Sequence, residues 1–477
     1  MSLDTRAQSF RLLGHFDRGE LASILKTLGC AALAAAVVWG PGWLGSDLYA
    51  DLSPGGQAAL GIMVFAAGLW VTEAMPAFAV ALLVIGLQIA ILGNPGGVWA
   101  PADSKDAWTL FVKPWSSPTM WLFFGGFVLA HACSKTQLDR WMAGHLLGRF
   151  VGRPPLLVLG VMAVTFVFSM FMSNTATAAM MVAVTAPVIA GLPEGSRLGR
   201  GVVIAVALAA NLGGIGTIIG TPPNAIAAGQ LADGQKIDFM RWMMIALPPA
   251  LVLAALGYGV VWWRWIRGEK GIEGSLDSAI EGDDRQFRHR LIVMLVFAIT
   301  VGLWMSESVL GIPSPVVSFV PIVVFAVTGV IGATDMRQLP WDVLLLLAGG
   351  LSLGVGVKET GLAAWLADQV PNTLPPLAIA AVFCFVGLVL SNLMSNTAAA
   401  ALLVPLGASL VAAEDSRIVI LSVAIGCSAA MALPISTPPN AIAYGSGRIS
   451  SRDFLVPGLV VGLLTPLVVL WLKWTVG

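Results

Sequence analysis

Long apolar stretches separated by short polar ones run through almost the whole chain of 477 residues. An apolar run of about 20 residues spans a bilayer as a helix, and by this measure the sequence predicts about eleven transmembrane helices. The first three candidates are residues 27–43, 57–71 and 77–92. The pattern predicts an all-α polytopic membrane protein, which is either a carrier or a channel.

Polar segments divide the apolar sequence and predict its organisation. Lys and Arg residues precede the first span, whereas the loop 44–56 contains none, so the positive-inside rule predicts a cytoplasmic N-terminus. We expect this orientation in the plasma (inner) membrane. We predict a leader and first helix in 1–54, two repeats in 55–263 and 291–477, and a polar linker in 264–290.

The composition excludes several classes of protein. Apolar residues make up 57% of the chain and charged residues 11%, compared with about 25% charged residues in soluble proteins. The 26 basic and 26 acidic residues balance, so there is no basic excess that would bind nucleic acid. The cysteines and histidines show no metal-ligand spacing, and no paired acids or activated nucleophile occur, so we expect no enzyme activity.

The same polar motifs occur in the same order in both halves of the chain. Each half contains a Gly-Gly pair, then a Ser-Asn-Thr-Ala motif with a serine four residues before it, then Thr-Pro-Pro-Asn-Ala-Ile-Ala. The motifs begin at Gly125, Ser173 and Thr221 and again at Gly349, Ser395 and Thr437, and the preceding serines are Ser169 and Ser391. Repeats of this kind are typical of secondary transporters, in which two repeats meet at a midplane site. If five spans follow one unpaired first helix and are then repeated, the odd number predicts inverted copies related by a pseudo-twofold axis in the membrane plane. An even number of spans per repeat would make the copies parallel.

The motifs combine groups that can bind both an anion and a cation. Ser, Thr and Asn side chains donate to carboxylates and also offer oxygens to a small cation. Two successive prolines remove N–H donors and disfavour helix before them, so we predict helix breaks at 220–221 and 436–437. At such a break, carbonyls can coordinate a cation and the next N–H groups can face an anion. We expect Asn224 and Asn440 to satisfy some of the freed backbone groups.

Basic residues are absent around these motifs. The sequence has no Lys or Arg between Arg153 and Arg197, or between Lys358 and Arg417. A helix terminus stabilises a charge by about 0.3–1 kcal/mol, whereas a charge at the bilayer centre costs about 2.5–3.5 kcal/mol. Helix dipoles alone would not hold a dianion, whereas cations bound beside it would. The sequence therefore favours ion-coupled uptake.

Several of these features also have a structural interpretation. One Ser-Asn-Thr motif alone would favour hydrogen bonding between helices, but the repeated order favours a binding site. His131 has no titratable counterpart in the second half, which favours packing over a proton relay. Glu73 and Glu307 recur at matching positions near span ends, and we favour a structural role for both.

The two Ser-Asn-Thr motifs, each followed by Pro-Pro-Asn, resemble the divalent anion/sodium symporter family, which carries dicarboxylates, citrate and sometimes sulfate. The resemblance covers nearly the whole chain after about residue 55. It implies a homodimer in which each protomer has a scaffold domain and an elevator-like transport domain. It also implies that the transport domain carries two re-entrant hairpins, which would bracket the Gly-Gly pairs and end at the Ser-Asn-Thr motifs.

The resemblance also implies which residues bind the ions and the substrate. The expected sodium ligands are Ser169, Ser173, Asn174 and the backbone of Gly220, and, in the second half, Ser391, Ser395, Asn396 and the backbone of Ser436. The expected substrate-binding residues are Ser173, Asn174, Thr175 and Thr221, and Ser395, Asn396, Thr397 and Thr437.

The favoured function is sodium-driven import of a C4-dicarboxylate such as succinate, malate or fumarate. A sodium-independent dicarboxylate or citrate antiporter, or a sulfate transporter of the same fold, remains an alternative. An ion channel would need a continuous polar path, and broken helices argue against one.

Overall fold

The computed structural model describes residues 18–99, 105–150, 152–193, 195–232, 234–269, 284–369 and 374–476. All regular elements in these ranges are helices. Most of the predicted leader and residues 270–283 of the predicted linker lie outside the described residues. Helices extend into both ends of that predicted linker, up to Ile266 and from Asp284.

The described helices confirm an all-α polytopic membrane protein. Eight of them are long and apolar enough to cross a membrane, and five shorter apolar helices accompany them. The number of long helices is below the predicted eleven because the polar motifs divide several apolar stretches into shorter helices. These include Asn174–Ala190, Pro376–Ser391 and Asn396–Ser409.

The first half begins with five helices of at least ten residues that precede the hairpin with its Ser-Asn-Thr motif. They are α1 (Arg18–Trp43), α2 (Pro54–Thr72), α3 (Ala77–Leu87, continued by a π-helical turn to Leu92), α4 (Pro118–Lys135) and α5 (Leu138–Leu147). A helical hairpin follows, which we call the first hairpin, and it consists of α6 (Pro154–Phe171) and α7 (Asn174–Ala190). The first broken helix consists of α8 (Arg197–Ile215) and α9 (Pro222–Gln230), and α10 (Phe239–Val261) ends this half.

The second half repeats this order. Its first helices are α11 (Asp284–Met305), α12 (Phe319–Val327), α13 (Trp341–Glu359) and α14 (Leu362–Asp368). The second hairpin consists of α15 (Pro376–Ser391) and α16 (Asn396–Ser409), and the second broken helix consists of α17 (Ser416–Ser428) and α18 (Pro438–Gly445). The last helices are α19 (Ser451–Leu464) and α20 (Val468–Val476).

The predicted helix breaks occur at the paired prolines. Thr221 has extended backbone angles, and α9 starts at Pro222. Proline is tolerated at the first position of a helix because the N–H group that it lacks would make no hydrogen bond within the helix there. Between α8 and α9 the chain folds back on itself so closely that a Cβ on Gly220 would overlap the Gly214 carbonyl oxygen. Only glycine fits there, so the sequence fixes the sharp return of the chain at this point.

The short arm of each broken helix packs against helices of the other half of the chain, so the two short arms are exchanged. The short helix α9 packs against α16 and α17, whereas α18 packs against α7 and α8. The long arm α8 lies in the interior, and 17 of its 19 residues are buried. Each half therefore completes its core with a short helix from the other half.

The expectation that the hairpins bracket the Gly-Gly pairs is wrong. Gly125 and Gly126 lie inside the continuous helix α4, and Gly349 and Gly350 lie inside α13, both of which precede the hairpins. A Cβ on Gly125 would come within 2.6 Å of Ser318, and one on Gly349 would overlap Ala81. The pairs allow close helix packing, which is the usual role of small residues in membrane helices.

Candidate functional site

Both Ser-Asn-Thr motifs lie at the tips of the hairpins, where the second arm begins. Ser173 is the N-cap of α7, and its Oγ accepts a hydrogen bond from the Ala176 amide at 3.1 Å. Ser395 is the N-cap of α16 in the same way, although its side chain makes no capping bond. The first turns of both helices therefore present the motif side chains and the unpaired N–H groups of a helix start.

The two hairpin tips and the two breaks line one cavity of about 1300 Å³. Ten of the twelve predicted site residues lie on its wall: Ser173, Asn174, Thr175, Gly220, Thr221, Ser395, Asn396, Thr397, Ser436 and Thr437. The other two, Ser169 and Ser391, are fully buried at the ends of α6 and α15. The structure thus brings the two half-sites together in a single space.

The charge distribution around this cavity favours an anion accompanied by cations. Four helices, α7, α9, α16 and α18, begin at residues that line the cavity or adjoin it. The positive ends of their dipoles therefore lie close to the same space. Among the described residues that line the cavity, none is Lys or Arg, and the titratable ones are Glu73, His131 and Asp342.

Oxygens converge around the side chain of Asn174. One terminal atom of its amide lies 2.7 Å from Ser169 Oγ, 3.0 Å from Gly220 O and 3.2 Å from Ala210 O. The Ser169 hydroxyl also lies 2.6 Å from Ala210 O, to which it can donate. The hydrogen bonds of the protein alone favour Nδ2 in the cluster, where the amide donates to all three oxygens. In the opposite, second orientation Oδ1 faces the two carbonyl oxygens, so four oxygens converge and a cation would be needed to compensate them.

The second orientation is the ligand arrangement of a small hard cation. Oxygens that bind such an ion at about 2.4 Å and at right angles to each other lie about 3.4 Å apart. The separations given above for the Asn174 cluster are 2.6–3.2 Å. A cation would widen them by about 0.2–0.8 Å, and the four oxygens are ligands of the type that such an ion binds, so the residues present fit one.

The corresponding residues of the second half contain buried oxygens whose hydrogen bonding is incomplete. Among the described residues, Asn396 Oδ1 has no hydrogen-bond partner, and Ser391 Oγ has only a weak contact with the Cys427 thiol. A buried polar group without a partner costs about 1–3 kcal/mol. The hydroxyl of Ser436, in contrast, has two hydrogen-bond partners. It donates to Asn392 Oδ1 at 2.8 Å and accepts from the Leu433 amide at 3.0 Å. A ligand that reached the oxygens of Ser391 and Asn396 would reduce this cost.

Asn224 and Asn440 satisfy the broken backbone, as the sequence predicted. Asn224 Nδ2 donates to three carbonyls at the end of α8 and in the following loop, at 2.8–3.2 Å. Asn440 Nδ2 donates to two carbonyls of the second break, at 3.0 and 2.8 Å. Both side chains are completely buried, so each one fixes the shape of its loop.

Asn392 holds the second break in place, and comparing the two halves of the sequence did not identify it. Its Oδ1 accepts from Ser436 Oγ at 2.8 Å and from the Ala432 amide at 2.9 Å, which joins the second hairpin to the second break. The matching position in the first half is Met170, so the repeat gave no signal there.

The acidic and basic groups near the cavity have distinct roles. Asp335 lies 3.3 Å from His131 Nε2 and 2.6 Å from Lys135 Nζ. Burial raises the pKa of Asp335, but hydrogen bonds from Lys135, the Gly332 amide and His131 lower it by more, to about 2. His131, for which we favoured a packing role, lines the cavity and lies beside this ion pair.

The two matching glutamates differ in their surroundings. Glu307 Oε2 accepts from the Ser314 amide at 3.1 Å, which is a structural role. Glu73 lines the cavity and has left-handed backbone angles, with φ of 49°.

Comparison with known proteins agrees with this architecture. The citrate transporter (CitMHS) family model matches residues 67–426. The sodium-dependent dicarboxylate transporter SdcS of Staphylococcus saprophyticus is 31% identical over 462 residues, which cover 88% of this chain and 86% of that protein. An uncharacterized transporter of Haemophilus influenzae is 30% identical over 452 residues, which cover 88% of this chain and 93% of that protein.

Two solved transporters share the fold at low sequence identity. The Alcanivorax borkumensis YdaH transporter has a TM-score of 0.56 and 12% identity, covering 84% of this chain and 99% of that chain. Neisseria gonorrhoeae MtrF has a TM-score of 0.52 and 12% identity, covering 85% of this chain and 94% of that chain. With the citrate transporter match and the relatives above, the chain belongs to the divalent anion/sodium symporter family of membrane transporters.

Proposed function

We propose that this protein imports a C4-dicarboxylate, such as succinate, malate or fumarate, together with sodium ions. The observation that carries this proposal is the convergence of oxygens at Asn174 in the wall of a cavity that four helix N-termini approach. A hard cation fits this cluster, and an anion fits the space beside it.

Charge compensation supports coupling to a cation. The four helix termini at the cavity stabilise an anion by about 0.3–1 kcal/mol each, which is about 1–4 kcal/mol together. A dianion in the middle of the bilayer costs about 2.5–3.5 kcal/mol for each charge even on a lenient scale. Because the described lining residues include no Lys or Arg, bound sodium ions are the groups that would balance the substrate.

The hairpin tips are suited to hold the two carboxylates. Thr175 is exposed to the cavity, and Thr397 lies at its wall with 9% of its surface exposed. Their hydroxyls, the amide groups of Asn174 and Asn396 and the helix N–H groups can all donate to carboxylate oxygens. We assign one carboxylate to each tip, with Ser173, Thr221, Ser395 and Thr437 beside them.

The exchanged packing supports an elevator-type mechanism. Because α9 packs on α16 and α17, and α18 packs on α7 and α8, the hairpins and broken helices form one continuous body. We propose that this body moves as a unit against the remaining helices, which form the scaffold of a homodimer. We also propose that the repeats 55–263 and 291–477 are inverted, and that the N-terminus lies in the cytoplasm at the inner membrane.

The names of the relatives support the same activity. The Staphylococcus proteins to which this chain is similar are called sodium-dependent dicarboxylate transporters. The similarity of this chain to those proteins carries the sodium requirement over as a proposal.

Uptake into proteoliposomes tests the proposed function. The purified protein should accumulate labelled succinate when an inward sodium gradient is present, and a potassium gradient should not replace it. Equal uptake in both salts would reject sodium coupling. Uptake that requires dicarboxylate or citrate inside the vesicles would instead indicate an antiporter, and uptake of labelled sulfate that succinate does not inhibit would indicate a sulfate transporter.

A further inference from the structure

Asn211 joins the two halves of the transport site through a buried hydrogen bond. It lies in α8, directly after Ala210, and its Nδ2 donates to Asn440 Oδ1 at 3.0 Å. Only 1% of Asn211 and none of Asn440 is exposed. The two residues belong to different repeats, so the bond crosses from the first broken helix to the second.

Each end of this bond continues to one of the proposed cation sites. On the first side, the carbonyl of Ala210 is part of the oxygen cluster at Asn174. On the second side, Asn440 Nδ2 holds the carbonyl of Leu433 at 2.8 Å, and the Leu433 amide donates to Ser436 Oγ. Backbone and side chain thus form a continuous connection from the first oxygen cluster to the second break.

The opposite connection is absent from the described residues. Cys427 stands ten residues before Thr437, the position that Asn211 holds relative to Thr221. Cys427 has no amide to donate, and Asn224 Oδ1, the counterpart of Asn440 Oδ1, is buried without a hydrogen-bond partner. The first break keeps its shape with its own three carbonyl bonds, so the fold of a break does not itself require such a bridge.

We propose that Asn211 is a positioning residue that couples the two cation sites. The proposal rests on the proposed sodium-coupled function. A cation that binds at Asn174 attracts the Ala210 carbonyl and fixes the peptide that joins Ala210 to Asn211, and with it the position of the Asn211 side chain. The side-chain amide of Asn211 then holds Asn440, which keeps the second break in the arrangement that binds the second cation. Because coupling between two binding sites is reciprocal, the second cation strengthens binding of the first by the same factor.

The variant Asn211→Cys tests this coupling, because it gives the first half the residue found at the matching position of the second. Loss of one neutral buried hydrogen bond corresponds to about a fivefold change in an equilibrium constant. We expect the sodium concentration for half-maximal uptake to rise about fivefold and the Hill coefficient for sodium, above one in the native protein, to fall toward one. The KM for succinate at saturating sodium should stay unchanged.

Hydrogen exchange adds a readout that does not depend on transport. In the native protein, sodium should slow exchange in both breaks, at 216–221 and 429–437. In Asn211→Cys, sodium should still slow exchange in the first break but should slow it less in the second. If the cysteine variant does not fold, the same measurements are made on Asn211→Ser, whose side chain is smaller and too short to reach Asn440.

Ser352→Ala provides a matched control. It removes the buried hydroxyl that joins the two halves through Gln88 Oε1 at 2.7 Å and the Phe111 carbonyl at 2.9 Å, and none of these three residues belongs to a break. Its loss of stability should leave the sodium dependence of uptake as in the native protein.

Each result decides one of the two proposals. A native protein with no sodium response in uptake or exchange would reject the proposed function, and the coupling with it. A native protein that responds to sodium, with the same Hill coefficient and the same protection of both breaks in the Asn211 variants, would reject the coupling alone. A raised KM for succinate with unchanged sodium cooperativity would make Asn211 a substrate-binding residue and would also overturn the coupling.

Discussion

Replacing Gly214 by alanine tests the first cation site without mutating any of the residues that would bind the cation. Gly214 lies in α8 opposite the hairpin tip, and a Cβ at this position would come within 2.6 Å of Asn174 Oδ1 and 2.9 Å of Nδ2. Ordinary contact begins at 3.4 Å, so the amide must move by about 0.8 Å. Metal ligands tolerate distance changes of about 0.2 Å, so this shift takes Asn174 out of the cluster.

The magnitude follows from the loss of one oxygen that binds a charge. Such an interaction contributes about 1.5–3 kcal/mol, which corresponds to a 10- to 150-fold change in affinity. We therefore expect Gly214→Ala to raise the sodium concentration for half-maximal succinate uptake by about 10- to 150-fold. Sodium-dependent thermal stabilisation of the detergent-solubilised protein should weaken in parallel.

Gly199→Ala is the matched control for this experiment. Gly199 lies in the same helix, and the nearest atoms to an added Cβ are 3.6 Å away, which is an ordinary contact. Both alanine variants gain about 0.5–1 kcal/mol of helix propensity, so a difference between them reports the displacement of Asn174. If Gly214→Ala retained the sodium affinity of the Gly199→Ala protein, the cation would not bind at Asn174, and our interpretation of the cluster would fail.

The other two predictions concern the hairpin tips and the ion pair beside the cavity. Asn174→Ala or Asn396→Ala should abolish succinate uptake while the protein remains folded by size-exclusion chromatography, and normal uptake by both variants would contradict the site assignment. Because hydrogen bonds hold the pKa of Asp335 at about 2, its stabilising effect is complete above the ordinary carboxyl pKa of about 4 and disappears as pH falls toward 2. Asp335→Asn should therefore melt below the native protein by a constant amount from pH 5 to 8, and the difference should shrink between pH 4 and 2. A difference that instead grew on acidification would contradict this pairing with Lys135.

Much of the site could be predicted from the sequence because its residues occur twice. A polar motif inside an apolar stretch must find partners, and two copies in the same order indicate that they meet. The paired prolines also fix where helices break, and both breaks occur at the predicted residues. Local chemistry and repetition together were sufficient for these positions.

The residues that broke the repeat were not found in this way. Asn211 matches Cys427 and Asn392 matches Met170, so neither stood out when the halves were compared. Both act through contacts between segments that are distant in sequence. The Gly-Gly pairs were misassigned for a related reason: a pair of small residues in an apolar run is compatible with a hairpin and with close helix packing, and only the neighbouring helix decides between them.

The exchange of α9 and α18 between the halves constrains how the chain is made. When α9 leaves the ribosome, α16 and α17, against which it packs, have not been synthesised. About 200 further residues must follow, which takes on the order of 10 to 40 seconds at ordinary rates of translation. During this interval the first break has no completed interior in which to bury its polar backbone. The bonds that Asn224 makes to its own loop are local, so they can form before the second half exists and protect the nascent protein while it waits.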